Sequence, residues 1–336
     1  MIYFDHASAM AVSPDTYDAF RDFGGWAFVN QEAGHDAGYR VRTALDEAGE
    51  RLAAKLTGRP MTVLWGETGS ELLHALSQYP WRGVECSGVL HPAVKAAFKA
   101  FAGNGPQLRV IGHVQSETGE LAVLPGPGAP VLVDAIQSAG KLPMLPGAAA
   151  YLISGHKFGS PGGAALLCEP GLGKKLKEHF KRLRFERYAL GRPEPTVMLT
   201  MVYALERMVD AMAVNQARVS EINRFLRAGL GGIKLKSGAS PIQTVDFERA
   251  SPWICHFVLP GIDTGVLVRM LAQRGAMVAS SSACRAEGGA PSEALLALGF
   301  PQADARSGLR LSFAPSNTLA EAADFLDLLQ SALADY

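Results

Sequence analysis

No stretch of this sequence is apolar over the roughly 18 residues that a membrane-spanning helix needs, so no membrane partner is expected. Cysteine is scarce, limited to Cys86, Cys168, Cys255 and Cys284, and no two form a Cys-x-x-Cys pair. That spacing excludes the usual zinc and thioredoxin-type sites, and no metal is expected. Few, scattered thiols fit a reducing compartment. An excess of charge is also missing: 32 Lys and Arg balance 32 Asp and Glu, which argues against nucleic acid as a partner. The basic run 174–184 (KKLKEHFKRLR) reads as a solvated helix face. The opening residues Met1 to His6 lack the basic start and long apolar core of a signal peptide, so a cytoplasmic location is expected. No P-loop is present, and GLGKKL (171–176) lacks the third glycine of a dinucleotide fingerprint.

What is abundant is glycine and proline, 36 and 20 of 336 residues, well above the roughly 12% of an average chain. They are scattered, and composition is otherwise that of a globular protein, 48% hydrophobic and 19% charged. Short apolar runs at 62–66 (TVLWG), 131–134 (VLVD), 150–154 (AYLIS) and 162–168 (GGAALLC) read as strands. They alternate with helical patterns, at 39–56 and from Ser70 onward. This alternation predicts an α/β fold with a largely parallel sheet. A long helical region follows at 196–229. Beyond about residue 232 the texture changes to short strands with helices at 264–273 and 318–333. The expectation is a large domain over 13–230 and a smaller α+β domain formed by 1–12 and 231–336. Cys168, Cys255 and, less clearly, Cys86 read as small core residues, whereas Cys284 lies in a polar setting of small residues.

Functional residues of open α/β sheets sit past the carboxyl ends of strands. Three segments fit that placement. WGETGSELLHAL (65–76) runs from a strand through a Thr-Gly-Ser turn into a helix, a geometry that can hold a phosphate or be a plain helix cap. ISGHKFGSPGG (153–163) delivers Lys157 just past a buried strand, where it is either an exposed loop lysine or an amine able to form Schiff bases. VDAIQSAGKLP (133–143) puts Asp134 at a strand end, as a helix cap or as the partner of a pyridinium nitrogen. His91 precedes Pro92 at a helix start, where a structural role is equally open.

In this order, from IYFDHASAMAVSP through SGHKFGSPGG and SSACRAEGGAPSEALLALGF to LRLSFAPSNT, these elements resemble the cysteine desulfurases. These belong to the class V group of fold-type I pyridoxal-phosphate enzymes, with a large mainly parallel-sheet domain and a smaller α+β one. The resemblance implies pyridoxal 5'-phosphate as cofactor and L-cysteine as substrate, converted to L-alanine with a persulfide left on Cys284. It implies that Lys157 forms the Schiff base, Asp134 holds the pyridine nitrogen, Gln137 the ring hydroxyl, and that His91 stacks on the ring and assists proton transfer. Thr68, Ser154, His156 and the backbone near Glu67 would hold the phosphate. Arg310 would pair with the substrate carboxylate, and Asn30 and Ser116 match substrate- or cofactor-side positions. Arg285 would favour the Cys284 thiolate, and Gly288 and Gly289 would let its loop swing. A homodimer and a sulfur-acceptor protein are implied partners, with iron–sulfur assembly, RNA thiolation and cofactor synthesis as destinations for the sulfur.

The sequence also departs from the family. His91 and His113 are only 22 positions apart, about one β–α unit short. HVQSETG (113–119) stands in place of Asn-Asn, and RFERYALGRPEPT (184–196) in place of Gly-Gly-Gly-x-Glu and Arg-x-Gly-Thr. Trp65 replaces a small residue. Alternatives are therefore another class V activity, such as an aminotransferase or a selenocysteine or cysteine-sulfinate lyase, or a catalytically decayed paralogue.

Overall fold

The structure, a computed structural model, describes residues 1–98, 103–186, 191–281 and 290–336. It divides into two compact units. The large unit comprises 9–113 and 122–212, and the small unit 1–8, 114–121 and 213–336.

In the large unit, helices α1 (Pro14–Gly24) and α2 (Asp36–Thr57) precede strand β1 (Thr62–Gly66). Then follow α3 (Gly69–Ser77), β2 (Gly83–Ser87), α4 (Pro92–Ala97), β3 (Gln107–Gly112), β4 (Val131–Asp134), β5 (Ala150–Ser154), β6 (Ala164–Cys168), α5 (Pro170–Glu186) and α6 (Pro195–Asp210). Helix α2 forms because Val41, Leu45, Ala48, Leu52 and Leu56 recur on one face, and all are buried. Burial of each larger side chain is worth about 1.5–3 kcal/mol relative to exposure. The helix stops at Gly58, whose φ of 67° suits only a residue without a Cβ.

The sheet order is β1-β6-β5-β4-β3-β2. Strands β5, β4, β3 and β2 pair in parallel, whereas β6 is antiparallel to both β5 and β1. Five strands therefore run the same way and end along one edge of the sheet. The inversion of β6 turns GGAALLC into the return arm of a hairpin, a direction that hydrophobicity does not encode. Cys86 departs from the core expectation: β2 is the outer strand, and Cys86 is exposed. Cys168 and Cys255 are buried as expected.

In the small unit, α7 (Met212–Gly232) is followed by β7 (Ile242–Gln243), β8 (Ile254–Val258), α8 (Thr264–Gln273), β9 (Ala279–Ser280), α9 (Glu293–Ala297), β10 (Gly308–Ser312) and α10 (Leu319–Asp335). Its sheet has the order β9-β10-β8-β7, all antiparallel. The N-terminal residues form a separate two-stranded sheet, Ile2 and Tyr3 pairing in parallel with Ala276 and Met277, and Asp5 bridges to Ser312 of β10. The long helical region expected over 196–229 is helical, as two helices, α6 and α7, parted at Ala211.

Close backbone approach shapes the turn between β5 and β6. Gly155 N donates to Gly163 O at 2.8 Å, and Gly155 O accepts from Phe158 N and Ser160 N. A Cβ on Gly155 would lie 2.2 Å from Gly162 O and 2.8 Å from Ser160 Cβ. Gly155→Ala should therefore lower the melting temperature by several degrees, for a cost of about 2 kcal/mol. Gly231→Ala, which meets nothing within 4 Å, should leave it unchanged or slightly raised in the same calorimetric scan.

Candidate active site

Five strand ends deliver polar groups to one edge of the large sheet. Asp134 ends β4, with Gly112 of β3 and Leu152 of β5 as its register neighbours. Ser154 ends β5, and a short 3-10 turn, Gly155–Lys157, follows at once. Gly66 ends β1, and Gly66 and Ser154 are both paired with Ala164 of β6. Thr68 caps α3 two residues later, its hydroxyl accepting from Glu71 N at 3.1 Å. His91 caps α4, its Nδ1 accepting from Ala93 N at 3.2 Å. Accepting at Nδ1 leaves the neutral ring of His91 with its proton on Nε2.

Electrostatics tie these groups together. Burial pushes the Asp134 carboxyl up to about 6, against the opposing pull of the Ile136 N–H and the Lys157 ammonium. One oxygen, Oδ1, accepts from that N–H at 3.1 Å. Burial, with Lys157 as the nearby cation, lowers the pKa of His91. Burial, Lys157 and Lys141 together push His156 down to about 4, and its Nδ1 lies 3.0 Å from Ser154 Oγ. Lys157 thus acts on Asp134, His91 and His156 at once. Buried Gln137 lies three residues past Asp134. His113, at the end of β3, bonds Ser138 Oγ through Nδ1 at 2.8 Å and is pushed down by burial to about 4.

Other expected residues lie elsewhere. Asn30 is in the loop between α1 and α2, where its Oδ1 accepts from Glu32 N at 2.9 Å. In the small unit, Arg310 Nη1 donates to the backbone oxygen of Ser116 at 2.8 Å. Arg310 Nη2 donates to Asp5 Oδ1 at 2.7 Å and Ser8 Oγ at 2.8 Å. Arg310 is buried, and its Nε has no acceptor among the described residues. Cys284, Arg285, Gly288 and Gly289 fall outside the described residues.

Sequence reasoning missed four participants. Lys141 is a buried cation that reaches His156. Asp5 and Ser8 hold Arg310. Glu71 sits on backbone amides at the start of α3, with Oε2 accepting from Glu67 N at 2.6 Å and Oε1 from Gly191 N at 3.0 Å. The Thr-x-x-Glu spacing of Thr68 and Glu71 was the available signal for the last. Asp5 and Ser8 lie within the IYFDHASAMAVSP motif, but no pattern marks their bond to Arg310 or the burial of Lys141.

An amine beside an enclosed carboxyl, with neutral imidazoles and hydroxyls nearby, suits a cofactor that carries an aldehyde, a ring nitrogen and a phosphate. The sequence profile described as Aminotransferase class-V matches residues 99–325. The chain belongs to the class-V aminotransferase family. Members of this family depend on pyridoxal phosphate. An "IscS-like cysteine desulfurase" of Mycobacterium tuberculosis is 26% identical, the match covering 99% of this chain and 96% of that protein. A "Cysteine desulfurase" of Gluconacetobacter diazotrophicus is 24% identical over 99% of this chain and 93% of its own. Among solved structures, a NifS-like protein from Rickettsia africae superposes with a TM-score of 0.77 at 16% identity, with both chains fully covered. This last likeness supports the class-V fold. Among the described residues, no helix is long and apolar enough to cross a membrane, and no cluster of His, Cys, Asp or Glu could hold a metal ion.

The raised Asp134 pKa has a thermodynamic sign. Between about pH 4 and 6 the folded protein keeps a proton on Asp134 that the unfolded chain has released. Its contribution to stability therefore falls as pH rises through that window, and the full cost stands above it. Without cofactor, Asp134→Asn should be more stable than wild type by about 1–3 kcal/mol at neutral pH. The gap should close toward pH 4, as read by urea unfolding of both proteins across the range.

Proposed function

We propose that the protein is a pyridoxal-phosphate-dependent cysteine desulfurase that converts L-cysteine to L-alanine and leaves the sulfur as a persulfide on Cys284. The observation that carries the reading is the electrostatic coupling of Lys157 to the desolvated Asp134 carboxyl, past the ends of the neighbouring strands β5 and β4, and to His91 on the same edge of the sheet. The named relatives and the Ser-Ala-Cys motif support the choice of reaction. When bound, pyridoxal phosphate supplies an electron sink for the pair left behind when the substrate Cα loses its proton.

Each residue then has a physical task. Lys157 holds the cofactor covalently and, once released by the substrate amine, accepts the Cα proton at Nζ. Asp134 would hold the proton on the ring nitrogen and be kept ionised by it, and Gln137 would donate toward the ring hydroxyl. His91, whose Nδ1 accepts from Ala93 N, would stack on the ring and offer its Nε2–H for proton transfer. Thr68 and Ser154 hydroxyls, neutral His156 and the Glu67 N–H bind the phosphate. Arg310, in its Asp5 and Ser8 clamp, takes the substrate carboxylate, with Asn30 and Ser116 on the substrate or cofactor side. The Cys284 thiolate attacks the substrate Sγ; an S–S bond forms as the Cβ–Sγ bond breaks. The transferred sulfur is oxidised, and the carbon skeleton takes up the electrons and a proton to become alanine. The protein works as a cytoplasmic homodimer that hands the sulfur to an acceptor protein, with iron–sulfur assembly as one destination.

Incubation with cysteine should yield alanine and, by mass spectrometry, one added sulfur on Cys284. Cys284→Ala should lose both, and Lys157→Ala should lose the activity together with the cofactor absorption band. Equal alanine production by Cys284→Ala would replace the desulfurase reading with a lyase on the same scaffold.

A further inference from the structure

We infer that the Glu71 carboxylate is a built-in occupant of the phosphate end of the site, which the cofactor must displace before its phosphate can bind. The inference rests on the cofactor reading above and deepens it. Glu71 Oε2 accepts from Glu67 N at 2.6 Å, and Glu67 N is the first backbone donor past the end of β1. Its Oε1 accepts from Gly191 N at 3.0 Å. The neighbouring carboxylate, Glu67, is tied down as well, its Oε1 accepting from Glu194 N at 2.8 Å. Two carboxylates therefore hold the segment 191–194 against the start of α3.

A plain Thr-x-x-Glu cap turns back onto the amide of the capping residue itself. Glu71 reaches one residue further, to Glu67, and commits its second oxygen to an amide 120 positions along the chain. The positive end of α3 favours negative charge, and Glu71 already supplies it. A phosphate arriving at Glu67 N must push Glu71 off that donor or stand beside two carboxylates. In either case the phosphate gains less than it would from free amides. Displacing Glu71 also breaks its bond to Gly191 N, so phosphate binding weakens the docking of 191–194, which Glu67 still holds at Glu194 N.

The test compares pyridoxal phosphate with pyridoxal, which has the same aldehyde and ring but no phosphate. Dissociation constants are read from the absorbance of the Lys157 adduct in wild type, Glu71→Gln and Glu71→Asp. Charged acceptors bond about twice as strongly as neutral ones, so Glu71→Gln should tighten pyridoxal phosphate by about ten-fold and pyridoxal by less than about two-fold. Glu71→Asp keeps the charge but cannot span both amides, and should fall between. Equal tightening of both aldehydes, or none, overturns the inference. Inorganic phosphate gives a second reading without the aldehyde: it should raise the melting temperature of Glu71→Gln more than that of wild type. Equal shifts, or no shift in either protein, count against Glu71 as the occupant. If neither aldehyde binds any of the three proteins, the cofactor reading fails. The phosphate melting shift then decides alone whether Glu71 occupies an anion site.

Discussion

A desolvated carboxyl group under the pull of a lysine ammonium is the pair on which the large unit is arranged. Desolvation and ion pairing act on Asp134 in opposite directions, and desolvation wins, since its pKa ends near 6 rather than at the ordinary 3.8. Such a residue weakens the fold at neutral pH and is tolerated where it serves chemistry. The parallel strands supply the tolerance: β4 and β5 bring Asp134 and the Lys157 turn to the same edge without either side chain having to find its neighbour alone. Burial and the same lysine lower the pKa of two histidines, with Lys141 adding to the effect on His156, so the edge carries neutral imidazoles beside these lysines.

The small unit treats its buried cation differently. Arg310 is paired with a carboxylate and a hydroxyl from the N-terminal residues and with a backbone carbonyl of the 114–121 hairpin. Three segments distant in sequence thus fix one guanidinium and leave its Nε as the unanswered donor. A rigidly held fork of this kind suits recognition of a planar anion, whereas the Lys157 amine, on a flexible stem, suits bond formation and proton transfer.

Much of this was legible in the sequence. The strands at 62–66, 131–134 and 150–154 stand where their apolar runs end, and Asp134 and Lys157 lie past those ends. Local pattern carries such information because each run fills one layer of a sheet. The rest depends on long-range pairing. Nothing in AALLC reveals that β6 runs against its neighbours, and nothing in GVECS reveals that Cys86 lies on an outer strand. Glu71 stands in the first turn of α3, and its bond to Gly191, 120 positions along the chain, depends on long-range packing. Asp5 and Ser8 stand within the IYFDHASAMAVSP motif, but their service to Arg310 depends on the N-terminal residues pairing with 276–277 and bridging to Ser312.

The reversed strand β6 has a consequence for how the site is assembled during folding. Because β5 and β6 form a hairpin, Lys157 lies in a short loop whose two arms meet after only a few residues. Asp134 reaches the same edge by a long crossover. Short closures lose little chain entropy and form early, whereas crossovers must wait for distant contacts. The reactive amine is therefore set in place by local chain geometry, and the carboxyl that tunes it arrives with the completed sheet. Changes of sequence within the 155–163 loop can then re-aim the lysine while leaving the strand register, and with it the carboxyl, where they are.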